Sequence, residues 1–219
     1  MYDLRLMLSK CGRAKYVSHL DMFRLMCRAV RRAEIPLWYT EGFNPHPYIS
    51  FLSALSLGVE GMAEPVDIKI IGDMKPDEVK NRLNACLPEG FSVKSAAAPF
   101  NKPAEIAAAE YYIPLDYADI SAAQLRLALE SGTLSCMKSG KSGGKKLMKS
   151  VNVSEHIRKY EITEGEQALE LQIVLDAGNN FNLNPFNFLD AVSEQLGRKI
   201  YSCGIKRISL LCADLSPFA

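Results

Sequence analysis

The first part of the chain changes from a strand-like to a helix-like spacing of apolar residues. Leu4, Leu6 and Leu8 recur at every second position, which is the period of a half-buried β-strand. Apolar residues then recur at helical spacing, and this pattern follows Ser18 and Asp21, whose separation by three residues is typical of a capped helix start. We therefore predict a strand over residues 2–9 and a helix that ends before Pro36.

Four further elements complete the first half. The segments 37–40 and 65–71 are rich in aromatic or alternating apolar residues and predict strands, with GFNPHPYISF as a loop between them. Pro76 starts a helix that closes near Gly90, and residues 91–97 return as a strand. The predicted order is strand, helix, strand, strand, helix, strand.

A similar order recurs after an Ala- and Pro-containing stretch. The predicted elements are a strand at 111–115, a helix capped by Ser121, strands near 134–137 and 169–175, a helix capped by Asn184, and a strand at 205–211.

This repetition predicts an α+β fold made of two consecutive ferredoxin-like βαββαβ halves with antiparallel sheets. The halves are residues 1–98, which carry the motifs SHLD and FNPHP, and residues 110–219, which carry a Lys-rich loop. Because this unit supports many unrelated functions, the function has to be argued from particular residues.

Composition narrows the class of protein. The chain has 219 residues, of which 48% are hydrophobic and 23% charged, so it can bury a core without disulfides or a structural metal. Its six cysteines contain no CxxC pair and are expected to be reduced thiols. No apolar run is long enough for a membrane span and the N-terminus has no signal-peptide pattern, so we expect a cytoplasmic protein that does not enter a membrane.

The SHLD and FNPHP motifs supply the candidates for chemistry. His19, Asp21 and His46 are candidate catalytic residues, either for acid/base chemistry on RNA or as metal ligands, although their spacing is not diagnostic of a metal site. The alternative is structural: a helix cap, a hydrogen-bonded core histidine and a rigid turn. A phosphate-like ligand is expected near the helix start, with Arg13, Lys15, Ser18 and Asn44 as its predicted binding residues.

Two basic segments predict contacts with nucleic acid. The first helix carries Arg24, Arg28, Arg31 and Arg32 on a stripe beside its apolar face. The segment MKSGKSGGKKLMKS is predicted to be a flexible cationic loop, which suits phosphate backbones. The residues predicted to bind nucleic acid are Arg24, Arg28, Lys141, Lys145, Lys146 and Lys149. A solvated helix face and a solubilising hairpin tip explain the same charges without a ligand. No Walker loop, GxGxxG, HExxH or catalytic-triad motif occurs.

A long pattern in the first 70 residues carries a family resemblance. It consists of Gly12, Arg13, Ser18, His19, Leu20, Asp21, Arg28, Arg31, Arg32, Gly42, Phe43, Asn44, Pro45, His46, Pro47, Ser50, Phe51, Gly58, Glu64 and Asp67. In these residues the chain resembles the bacterial radical SAM-linked proteins, a family of unknown function. The resemblance implies a partner, a B12-binding-type radical SAM protein that is fused to such domains or encoded beside them, often near ribosome or RNA-processing genes. This chain has no CxxxCxxC motif, so we expect it to hold no iron–sulfur cluster and no other cofactor.

Three functions follow from these observations. The preferred hypothesis is an accessory protein of unknown reaction that binds RNA or a ribonucleoprotein and works with a separate radical SAM enzyme. The first alternative is an enzyme that acts on RNA or another phosphate-containing substrate through His19 and His46. The second is a purely structural protein-interaction module. Since catalytic motifs are lacking, the sequence favours a protein that is not an enzyme.

Overall fold

A computed structural model describes residues 1–142, 145–178, 181–202 and 204–219, and for residues 138–142 and 145–149 it describes the backbone alone. The chain divides into two compact units. Unit 1 comprises Met1–Ile106 together with Arg207–Ala219, and unit 2 comprises Ala107–Lys206. No described helix is long and apolar enough to cross a membrane.

The strands are β1 (Tyr2–Lys10), β2 (Ile49–Phe51), β3 (Glu60–Ile70), β4 (Phe91–Ala97), β5 (Ala108–Leu115), β6 (Ser135–Ser142), β7 (Lys145–Asn152), β8 (Ile157–Glu164), β9 (Leu169–Asp176) and β10 (Lys206–Leu211). The α-helices in the described residues are α1 (His19–Arg32), α2 (Pro76–Cys86), α3 (Ala122–Glu130) and α4 (Pro185–Leu196). Short 3-10 turns occur at Gly12–Tyr16, Pro103–Glu105 and Ser154–His156.

The sheet of unit 1 has the strand order β4, β1, β3, β10, and β2 also pairs with β3. The pairings of β1 with β3, β1 with β4 and β2 with β3 are antiparallel. Leu4, Leu6 and Leu8 point to one face of β1 and are fully buried, as their alternation predicts. Their core cluster includes Met26 of α1 and Leu83 of α2, so both helices cover this face.

The opposite face of β1 carries a buried arginine. Arg5 lies there and bonds both carboxylate oxygens of Asp67 at 2.7 and 2.9 Å. Its Nη1 donates to the carbonyls of Asn101 and Ala219 at 2.9 and 2.7 Å, and the ring of Phe218 lies 4.5 Å from its guanidinium carbon. Within unit 1, one buried cation therefore links β1 to Asp67, Asn101 and Ala219.

In unit 2, β9 pairs with β5 on one side and β8 on the other, both antiparallel. The capping box predicted for α3 is present: the Ser121 hydroxyl accepts from Gln124 N–H, and the Gln124 side chain accepts from Ser121 N–H. Asn184 caps α4, and Gly197 ends it in the left-handed conformation. These ends match the predictions because capping depends on residues that are adjacent in sequence.

The fold is α+β as predicted, but three expectations need correction. The main sheet is mixed, so the prediction of antiparallel sheets is wrong, and a ferredoxin-like duplication is not confirmed. In unit 2 the strand predicted near 134–137 belongs to a separate two-stranded sheet, β6 with β7, and β8 was not predicted. Residues 37–40 form only isolated bridges, Leu37 with Ile70 and Tyr39 with Pro47, because the segment is too short and follows Pro36.

Candidate nucleic-acid interface

The start of α1 is capped by its own side chains. The Ser18 hydroxyl accepts from Asp21 N–H at 3.2 Å and donates to the Asp21 carboxylate at 2.7 Å. This hydroxyl bond is the main cause that lowers the pKa of Asp21, and Arg24, bonded at 3.3 Å, lowers it further. Asp21 is thus an anion at neutral pH and is not a proton donor. The Asp21 carboxylate lies in the first turn of α1. That turn is also the place where the sequence predicted a phosphate bound by Ser18.

The two histidines of the motifs lie along one side of α1. The ring of His19 packs edge-on against Phe51 of β2, with centroids 5.3 Å apart. One turn further along α1, Phe23 packs edge-on against His46 at 6.1 Å. Since residues four apart face the same side of a helix, α1 brings SHLD and FNPHP together. Contrary to the core-histidine alternative, both rings are exposed.

His46 is held by its own loop. Its Nδ1 lies 3.1 Å from the Asn44 carbonyl and 3.1 Å from the Thr40 hydroxyl, and its backbone N–H donates to that hydroxyl at 3.2 Å. In the tautomer that carries its hydrogen on Nδ1, this nitrogen donates to the Asn44 carbonyl and Nε2 is the acceptor. The Asn44 contact is made by its backbone. Among the described residues, no group of three His, Cys, Asp or Glu side chains could hold a metal ion.

We define the arginine face as Arg24, Arg28, Arg31 and Arg32 of α1, all of which are exposed. These side chains line an open groove of about 510 Å³ together with Phe23 and Cys27. Burial raises the pKa of the Cys27 thiol, which keeps it neutral. The groove therefore joins four cations to an apolar wall that carries no charge.

The four arginines differ in what they bind. Arg24 pairs with Asp21, and Arg32 donates to the Cys86 carbonyl at 2.8 Å. The side chains of Arg28 and Arg31 form no direct hydrogen bond or ion pair within the described part of the chain, although the charge of Arg28 helps to lower the pKa of Asp21. The stripe predicted from sequence is thus a surface of cations, and only Arg24 among them forms an ion pair in the described part of the chain.

Arg13 and Lys15 lie in the turn Gly12–Tyr16 that precedes α1. Lys15 Nζ sits 5.3 Å from the centre of the Tyr16 ring, and the Lys15 carbonyl accepts from Gly58 N–H at 2.9 Å. Arg13 is exposed. This turn adds positive charge next to the start of α1.

In its backbone the Lys-rich segment forms two antiparallel strands, β6 and β7, where the sequence predicted a loop. In their register Lys138 is opposite Lys149 and Lys141 is opposite Lys146. The side chains of these lysines and of Lys145 lie outside the described residues. These strands were not predicted from the sequence because the lysines are separated by Gly and Ser, which are typical of loops.

Two features of the molecule were not found from sequence. His156 Nδ1 contacts Asp176 Oδ2 at 2.9 Å, Arg158 donates to Asp176 Oδ1 at 2.6 Å, and Phe181 stacks on His156 with centroids 3.7 Å apart. No sequence signal marks this group, because the pairing of β8 with β9 creates it. The second is the exposed Phe43, whose place between Gly42 and Asn44 in a turn-rich segment was an available signal.

Comparison with known proteins gives a family and a fold. The model of the family described as "Uncharacterized protein conserved in bacteria (DUF2344)" matches residues 3–185. No curated protein matches the chain.

Two solved structures are similar in fold. One is the crystal structure of a Cbf5-Nop10-Gar1 complex, with a TM-score of 0.54, 11% identity, and coverage of 94% of this chain and 48% of that chain. The other is the structure of an H/ACA RNP bound to a substrate RNA containing 2'-deoxyuridine, with a TM-score of 0.51, 10% identity, and coverage of 94% and 46%. The chain thus spans about half the length of the chains that it matches, and at this identity the likeness concerns the fold alone.

Proposed function

The chain belongs to this family of uncharacterized proteins conserved in bacteria, and from that premise we propose that it is an RNA-binding accessory protein that holds phosphates on its arginine face. The radical SAM enzyme that the sequence resemblance implies as a partner is part of the proposal. The family description and the similar structures do not mention such an enzyme.

The observation that carries the proposal is the pair Arg28 and Arg31. Both guanidinium groups are exposed, lie in one groove, and form no ion pair with a carboxylate in the described part of the chain. Exposed arginines without a direct ion pair favour an anionic ligand in such a groove, and the planar guanidinium fork matches phosphate oxygens in a bidentate way. Arg13 and Lys15 extend the positive charge beyond the start of α1.

The fold is consistent with this proposal but does not carry it. The similar H/ACA RNP structure is that of a complex bound to a substrate RNA. Because one fold can support unrelated functions, the arginines and not the likeness are the argument.

The test is a salt titration of RNA binding with the double variant Arg28→Gln, Arg31→Gln. Each phosphate contact on a single strand contributes about 0.7 to the slope of log affinity against log salt, so the double variant should flatten the slope by about 1.4. Arg82→Gln is the matched control, because Arg82 is a helical, partly exposed arginine that already pairs with Glu78 at 2.7 Å. An unchanged slope in the double variant would exclude the arginine face as the RNA-binding surface.

The Lys-rich segment is proposed as a second contact. Replacing Lys141, Lys145, Lys146 and Lys149 by Ala removes four charges and is expected to flatten the salt slope by about two to three units, similarly for every RNA sequence. The absence of binding by the parent protein would instead favour the structural protein-interaction module.

A second candidate function is favoured by the geometry of His46. In its Nδ1–H tautomer the ring has Nε2 as a proton acceptor and packs on the groove residue Phe23, as an acid/base group on a phosphate-containing substrate requires. Under this alternative, His46→Gln abolishes turnover of RNA and leaves RNA affinity near that of the parent. His19→Gln provides the companion test, since His19 lies on the same side of α1.

A further inference from the structure

We infer that Phe43 is a stacking platform for an unpaired base, so that the RNA bound by this chain is single-stranded. This inference rests on the proposed function and names the class of RNA that it takes. Its starting point is the exposure of Phe43, whose side chain has 106% of the reference accessible area and therefore has no cover from the described protein.

The loop that carries Phe43 is closed at its base. Thr40 N–H donates to the His46 carbonyl at 2.9 Å, and His46 N–H donates to the Thr40 hydroxyl at 3.2 Å. Gly42, with φ +127°, supplies the turn conformation that side-chain-bearing residues rarely adopt. An aromatic ring on a closed loop loses little conformational entropy when a ligand covers it.

The same loop is attached to the arginine face. His46, at the base of the loop, packs against Phe23, and Phe23 lines the groove of the arginines. One surface of unit 1 therefore combines cations in a groove with an exposed ring. Proteins that bind single-stranded nucleic acid use this combination: the cations contact the backbone and the bases stack on aromatic rings.

The surroundings of Phe43 favour a base over a protein partner. In the loop 40–46, TEGFNPH, Pro45 is the only other apolar residue, so the ring does not belong to an apolar patch within the loop. A stable protein interface needs a broad complementary area, whereas one stacked base needs only one ring face. In a duplex the bases are already stacked on each other, so an unpaired strand is the form of RNA that this ring can engage.

The experiment measures the affinity of the full chain for a labelled single-stranded RNA of 12 nucleotides and for a blunt RNA duplex of the same length. The variants are Phe43→Ala, Phe43→Leu and, as a matched control, Phe100→Ala, whose side chain is also highly exposed at 87%. Stacking of one base on an aromatic ring is worth roughly five- to hundredfold in affinity. Phe43→Ala should thus weaken single-strand binding by about tenfold, leave duplex binding unchanged and leave the salt slope unchanged, since no charge is removed.

The outcomes separate this inference from the proposed function. Phe43→Leu is expected to bind as weakly as Phe43→Ala, because leucine keeps apolar area without a π face. Parent-like single-strand affinity of Phe43→Leu or Phe43→Ala would overturn the stacking platform. If Phe43→Ala did not change the affinity while Arg28→Gln, Arg31→Gln flattened the salt slope, the RNA-binding proposal would stand without the stacking platform. If the parent protein bound no RNA, both the proposed function and the stacking platform would fail.

Discussion

Arg207 and Glu64, 143 residues apart in sequence, form a two-point ion pair in the interior of unit 1. Arg207 Nε donates to Glu64 Oε1 at 3.0 Å and Nη2 donates to Oε2, while the exposed fractions are only 1% and 3%. Nη1 of the same arginine donates to the Ser53 hydroxyl at 3.2 Å and the Ala54 carbonyl at 3.1 Å. One guanidinium thus connects β10, β3 and the segment after β2.

The substitution Glu64→Gln should strongly destabilise unit 1. It leaves the buried Arg207 charge without its counter-ion, and breaking a buried pair in this way costs about 3–5 kcal/mol. The control is Glu78→Gln in α2, which breaks an exposed pair with Arg82 and should cost no more than about 1 kcal/mol. Urea unfolding measures both, and equal losses for the two variants would contradict the role assigned to the buried pair.

The pKa of Lys10 makes the free energy of unfolding depend on pH in the alkaline range. Its side chain is buried and donates to the Val17 carbonyl at 2.7 Å. Burial lowers the pKa of Lys10 below its usual 10.5, Glu64 opposes this and Arg207 adds to it. Between the lowered pKa and 10.5 the unfolded chain binds more protons at Lys10 than the folded chain does, so this contribution to stability increases as pH rises through that window.

We therefore expect the free energy of unfolding of the parent to increase relative to that of Lys10→Met as the pH rises toward 10.5. The comparison of the two proteins removes the effect of other alkaline groups, including Tyr2 and Tyr112, whose pKa values are both raised by burial. The measurement is urea unfolding at several pH values. A difference that does not change with pH would show that Lys10 has the same pKa in both states.

Local signals in the sequence predicted the ends of most elements. Pro76, the capping box of Ser121 with Gln124, and Gly197 at the end of α4 act through neighbours in the chain, and the structure has them in these roles. Strand partners depend on distant residues instead. The place of β10 beside β3, and the pairing of β6 with β7 outside the main sheet, were therefore not predicted.

In the candidate site, too, features set by local spacing were predicted and features set by distant residues were not. The arginine face was predicted because helical spacing fixes which residues share a side. The packing of His46 on Phe23 joins two motifs across a loop, so sequence spacing could not predict it. Arg5, Lys10, Glu64 and Arg207 are buried although charged residues are expected at the surface, since their long-range partners are what makes burial tolerable.

Gly90 should be far less tolerant of substitution than Gly72. Both have left-handed φ values, +86° and +91°. A Cβ on Gly90 would lie 2.7 Å from the Cys11 carbonyl oxygen and 2.8 Å from the Ala14 Cβ, whereas a Cβ on Gly72 would meet nothing within 4 Å. Both alanine variants carry the backbone strain, and Gly90→Ala adds an overpacking cost of about 1–3 kcal/mol.

Urea unfolding of Gly90→Ala and Gly72→Ala measures that additional cost. The displaced turn Gly12–Tyr16 carries Arg13 and Lys15, so Gly90→Ala should also shift the NMR signals of these two residues. Equal stability of the two variants would mean that the turn moves away from Gly90 without cost.

Ser18 should control both the stability of α1 and the ionisation of Asp21. The substitution Ser18→Ala removes the N-cap bond to Asp21 N–H, which is worth about 1 kcal/mol, and the hydroxyl that donates to the Asp21 carboxylate. That second bond is the leading cause of the lowered pKa of Asp21, so the pKa should rise toward its usual 3.8. The folded carboxylate stabilises the protein above the unfolded pKa, and this contribution is lost as pH falls through the folded pKa; in Ser18→Ala it should be smaller.

The matched control is Ser121→Ala, which removes the equivalent cap of α3 and should cost a similar free energy of unfolding while leaving the Asp21 titration unchanged. Carboxylate titration by NMR, with unfolding measured on the same samples, tests both effects, and an Asp21 pKa that is the same in Ser18→Ala and the parent would show that Arg24, and not Ser18, holds the carboxylate in its ionised form.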